Sequence, residues 1–123
     1  MQYNIPKLSI DILSNIVCDA VDLCPSITAV GLVGSLARGK ERHNSDVDII
    51  VKHDNKINFN SVLESFGMHV KHILDYQFNK RLDIIRYDYA VTCASRTPND
   101  NEPWFCQKSF LQMLEEVKWL YER

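Results

Sequence analysis

No stretch of this sequence approaches the roughly 18 consecutive apolar residues that a bilayer-spanning helix needs. Met1 to Lys7 also lacks the basic start and apolar run of an export signal. Neither a membrane-embedded nor an exported chain is expected, and the reading is a cytoplasmic protein. Paired cysteines are missing as well. Cys18, Cys24, Cys93 and Cys106 form no C-x-x-C unit, and no histidine stands at a zinc-site spacing. This excludes a structural zinc site of the usual pattern and predicts reduced thiols. There is no excess of one charge, the formal net being −2 with a pI near 6.0. A domain that grips a long polyanion is basic, so nucleic acid ranks below a small molecule or a protein as partner. Glycine and proline number only four each, and the composition, 46% hydrophobic and 24% charged, is that of an ordinary globular chain. At 123 residues it fits one compact domain, 1–123.

The apolar residues that are present follow two periods. Ile12, Leu13, Ile16, Val17, Ala20 and Val21 recur at helical spacing behind Ser9, a suitable N-cap, until Pro25 stops the run. Ile27 to Val33 is small and β-branched and ends at Gly34, the pattern of a buried strand entering a tight turn, after which Ser35 is expected to cap a short helix. Asp46 to Lys52 begins with strand-like alternation. Val62, Leu63, Phe66, Val70, Ile73 and Leu74 suit a helix that Gly67 interrupts, and Arg81 to Tyr87 reads as a third strand. Turn formers fill Ser95 to Pro103, the expected mobile loop. Phe110, Leu114, Val117 and Tyr121 predict a closing helix. The expected fold is mixed α/β, a small mixed sheet flanked by helices in the order α-β-α-β-α-β-α.

Three of the four glycines, Gly31, Gly34 and Gly39, fall within nine residues where that first strand meets a helix. Backbone without side chains can approach an anion closely, and Ser35 with the helix N-terminus offers N–H donors, so the junction suits phosphate. Arg38, Lys40 and Arg42 place three cations in five residues beside it. Asp46 and Asp48, two apart on a strand, project side by side and repel each other unless a cation lies between them. Hard oxygen ligands of this kind suit Mg²⁺, which completes its shell with water and substrate phosphates. Either half alone is usually structural. At residue frequencies of roughly one in fifteen, Gly34, Ser35, Arg38, Gly39, Asp46 and Asp48 assemble by chance on the order of 10⁻⁷ times per start position.

Gly34-Ser35-Leu36-Ala37-Arg38-Gly39, then Ser45-Asp46-Val47-Asp48 with ten residues between Ser35 and Asp46, resembles the signature of the polymerase-β-like nucleotidyltransferase superfamily. Its minimal single-domain branch, the MntA-type antitoxins of HEPN/MNT toxin–antitoxin pairs, has the same spacing, and the similarity in layout covers nearly the whole chain. The resemblance implies transfer of AMP from ATP to an acceptor hydroxyl. Gly34, Ser35 and Arg38 would bind nucleotide, while Asp46, Asp48 and a third aspartate would be catalytic and hold two Mg²⁺ ions. Asp83 fits that third place, within the apolar strand and followed by Ile84 and Ile85, and Asp88 is its competitor. Arg38 either steadies phosphates or pairs with a carboxylate within the fold. The acceptor implied is a tyrosine of a HEPN toxin. A small-molecule acceptor of the aminoglycoside type and an antitoxin that acts by binding alone stay open. The segment before the third strand is slightly long for the family and carries His69 and His72, three apart, expected as surface residues for want of a third metal ligand.

Overall fold

The computed structural model describes residues 5–40, 45–54, 58–95 and 104–123, the last stretch with side chains from 108 onward. Arg42 and the expected loop beyond Ser95 lie outside these residues. Helix α1 spans Ile10–Ala20 and is extended by a 3₁₀ turn, Val21–Leu23. The Ser9 hydroxyl accepts from the Ile12 N–H at 3.1 Å, which satisfies one of the donors a helix start leaves unpaired. Strand β1 is Ile27–Val33, α2 is Gly34–Ala37, and β2 is Val47–His53. The helix expected around Gly67 forms, and the interruption takes the form of one π turn: α3, Phe59–Val62, passes through Leu63–Gly67 into α4, Met68–Phe78. Asn79 then ends α4 in the left-handed conformation at φ 51°. Strand β3 is Leu82–Arg86, followed by α5, Tyr87–Ser95, α6, Trp104–Glu116, and β4, Lys118–Glu122. Among the described residues no helix is long and apolar enough to cross a membrane.

The four strands form one mixed sheet in the order β3-β2-β1-β4, with β2 parallel to β3 and β1 antiparallel to both β2 and β4. Each face buries a different set of helices. Leu13 and Val17 of α1 and Phe66, Val70 and Leu74 of the α3–α4 segment pack with Leu32, Ile49 and Val51 on one face. The other face is smaller, with Val33, Ile50 and Ala90 at its centre and Ile85, Phe110, Leu114 and Trp119 around them. Residues two apart on a strand share a face. Asp48 therefore lies on the α5–α6 face with Ile50, and Asp83 lies there with Ile85.

The mixed α/β class agrees with expectation, whereas the closing helix does not. It stops at Glu116, Lys118–Glu122 form β4 after the single residue Val117, and α5 is an element beyond those expected. Strand β1 would otherwise be left with an open row of peptide groups, and pairing with β4 satisfies them. Tyr121 consequently packs toward the α1 face, while Phe110, Leu114 and Val117 stay on the other. Gly31 makes room for this corner. A Cβ there would run into Val117 Cγ2 and stand 3.1 Å from both Ile50 Cγ2 and Trp119 Cε3. Gly31→Ala is therefore expected to destabilise the fold by about 1–3 kcal/mol, read as a lower urea midpoint at unchanged slope.

Candidate active site

The strand registers bring the acidic residues to one end of the sheet. Val33, the last residue of β1, pairs with Asp48, and Asp48 pairs across the parallel ladder with Asp83. The next residue after Val33 is Gly34, whose φ of +80° turns the chain from strand into α2. A Cβ at Gly34 would stand 2.5 Å from Asp48 Oδ2. Glycine thus does two things here: it adopts a backbone conformation that L side chains rarely take, and it leaves space for a carboxylate against the turn. Asp46 lies just before β2, on the side of the chain that Asp48 takes by alternation.

Asp48 is half-buried, and its pKa is pushed up from the ordinary 3.8 to about 6. Burial is the largest cause, followed by the charge of Asp83, a side-chain hydrogen bond between the two carboxyls, and the charge of Asp46. Metal-free protein should therefore lose stability as pH rises. A carboxyl whose folded pKa exceeds its unfolded one binds more protons in the native state, so this contribution declines between about pH 4 and pH 6 and is flat above. With half of the group in solvent, about 1–2 kcal/mol is expected, seen as a falling melting temperature over that interval in chelated buffer.

Acids held together at a cost in repulsion suit a hard divalent cation, and Asp48 and Asp83 are the residues that could offer it paired oxygens. Asp46, Asp48 and Asp83 are not equally close. Among the described residues no group of three His, Cys, Asp or Glu side chains stands together at metal-holding distance. Asp48 and Asp83 meet directly, and Asp46 acts on them through its charge.

The remaining expected residues divide. Asp88 is engaged elsewhere: Arg86 donates to it through Nε at 2.8 Å and Nη2 at 2.6 Å, and it accepts from the Tyr89 N–H at 2.9 Å. These bonds hold its carboxyl below the usual range, the Arg86 hydrogen bonds being the largest cause. Ser35 does not cap α2. The helix starts two residues earlier than that, with Val33 in the cap position and no side-chain cap, and among the described residues the Ser35 hydroxyl makes no hydrogen bond. Four residues make little dipole, so this turn has first-turn N–H groups and a hydroxyl to offer. Arg38 is tied to Glu116 of α6, Nη1 to Oε2 at 3.4 Å. His69 and His72 are exposed on α4, His72 stacking on Tyr76 at 5.8 Å, and among the described residues neither belongs to a metal-holding group. Glu116 is the site neighbour that sequence reasoning missed; its one signal is an acidic residue at the end of a helix, where the dipole disfavours it.

Such a corner suits phosphate chemistry, since the turn at Gly34 abuts the Asp48 and Asp83 carboxyls and, among the described residues, no cation pairs with them. The chain belongs to the polymerase beta nucleotidyltransferase family, whose profile matches residues 18–109, and it is a nucleotidyltransferase. No curated protein matches it. Solved structures share the fold at low identity. One is the toxin–antitoxin MntA–HpeT in mutant form, with a TM-score of 0.57, 17% identity, and 89% of this chain and 73% of that one covered. Another is the tri-AMPylated Shewanella oneidensis HEPN toxin in complex with MNT antitoxin, with a TM-score of 0.53, 15% identity, and 93% and 73% covered. The toxin–antitoxin MntA–HepT gives a TM-score of 0.52 at 16% identity, with 92% and 73% covered.

Proposed function

We propose that this nucleotidyltransferase moves AMP from ATP to a tyrosine hydroxyl of a HEPN-family toxin, with Mg²⁺ as cofactor, and thereby acts as an antitoxin. The observation that carries the reading is the Asp48–Asp83 pair lying across the ladder from each other beside Gly34. The choice of partner is supported by the similar fold of an MNT antitoxin that accompanies a tri-AMPylated HEPN toxin.

Asp46, Asp48 and Asp83 are the residues to hold Mg²⁺, two ions in the full arrangement, and the bound cation supplies neutralisation of phosphate and pyrophosphate oxygens. The N–H groups of the Gly34 turn and the Ser35 hydroxyl orient the triphosphate. Asp83, the most exposed of the three acids, accepts the proton of the attacking hydroxyl. The acceptor oxygen forms a bond to the α-phosphorus, the bond from that phosphorus to the bridging oxygen breaks, and pyrophosphate leaves with the electron pair.

Intact-mass measurement tests the reading. Protein, ATP, Mg²⁺ and the product of the adjacent gene are incubated together, and the toxin is expected to gain one or more AMP units. With the Asp46→Asn, Asp48→Asn double variant the toxin should remain unmodified and active. Neutralisation that survives this double change without any mass gain would establish inhibition by binding instead.

A further inference from the structure

The pairing of Arg38 with α6 is not used by the chemistry proposed above. Arg38 closes α2, and its Nη1 donates to Glu116 Oε2 at 3.4 Å, the two side chains being 38% and 32% exposed. Glu116 is also held from a second side, because its Oε1 accepts from Gln112 Nε2 at 3.1 Å one turn earlier. A carboxylate is disfavoured at that point of α6. Glu116 is the last residue of the helix, Glu115 precedes it, and the last turn has no basic residue of its own. The negative end of the helix dipole calls for a cation there, and Arg38 supplies it from another element. Among the described residues, Arg38 pairs with this carboxylate and with none of the three at the site.

We infer that Glu116 is a positioning residue that presents Arg38 to the triphosphate. This rests on the reading that the turn at Gly34 receives a nucleoside triphosphate. The guanidinium has five N–H donors in a fixed fork, and the bond to Glu116 leaves Nε and Nη2 for phosphate oxygens. An arginine ordered before the nucleotide arrives loses less side-chain freedom on binding than one free in solvent.

Calorimetric titration with adenosine 5′-(α,β-methylene)triphosphate and Mg²⁺ tests this on the wild type, Glu116→Gln, Arg38→Ala and the double variant, each checked for folding by circular dichroism. Glu116→Gln is expected to weaken binding by about two- to tenfold and to add nothing further in the Arg38→Ala background. In transfer assays it should raise the KM for ATP and leave kcat in place. If the wild type binds no nucleotide, the proposed function fails and this inference with it. If the wild type binds and Glu116→Gln binds equally well, or weakens binding just as much when Arg38 is already alanine, the positioning role alone is overturned.

Discussion

Asp48→Asn is expected to lower nucleotidyl transfer on the order of 10³-fold or more while making the metal-free protein more stable at pH 7. Both effects come from one group. Asp48 is the acid nearest the turn, and burial, Asp83 and Asp46 all oppose its ionisation. Asparagine keeps the shape and removes the charge, so the repulsion goes, along with an oxygen that a divalent cation needs. In chelated buffer at pH 7 the variant should gain about 1 kcal/mol after allowance for solvent screening. Adding Mg²⁺ should raise the melting temperature of the wild type and leave that of the variant nearly unchanged. Transfer within tenfold of wild type, or a variant less stable than wild type without metal, would remove Asp48 from the centre of the site.

Gly34→Ala should damage both fold and activity. A φ of +80° costs an L residue about 1–2 kcal/mol, and the new Cβ would also stand 2.5 Å from Asp48 Oδ2. Either the turn or the carboxylate has to move. Displacement of a reacting group by a fraction of an ångström to an ångström costs on the order of 10²-fold in rate, so transfer is expected to fall by that much and stability by about 2 kcal/mol. Gly39→Ala separates the causes: its φ is +69°, yet nothing lies within 4 Å of where its Cβ would be. That change should show the backbone cost with a far smaller loss of transfer. Equal activity losses in the two variants, measured at saturating ATP, would mean that the contact with Asp48 is unimportant.

Much of this site is local and therefore legible in the order of the residues alone. The Gly34 turn follows from a strand that runs into glycine, and the shared direction of Asp46 and Asp48 follows from the two-residue period of a strand. Ser9 acts as the expected cap, and the α1 stripe of Leu13, Val17 and Ala20 is buried as its spacing implies. The end of the chain misleads because Phe110, Leu114, Val117 and Tyr121 fit helical spacing, while Lys118 to Glu122 also suits a strand, one in which the register shift opposite Val30 and Gly31 sets Trp119 and Tyr121 on opposite faces. Local pattern offers no way to choose between them. The open edge of β1 chooses, since its peptide groups need partners.

By itself the sequence determined a mixed α/β chain with a glycine turn and, after ten intervening residues from Ser35, a carboxylate pair, because propensity and periodicity act between near neighbours in the chain. Only the tertiary structure decided that Asp83 faces Asp48 while Asp88 is taken by Arg86, that Arg38 is paired with Glu116, and that the last five structured residues complete the sheet. All but the Arg86–Asp88 pair join residues far apart in sequence or depend on strand register. Register is set by the burial of both faces at once, which no single segment encodes.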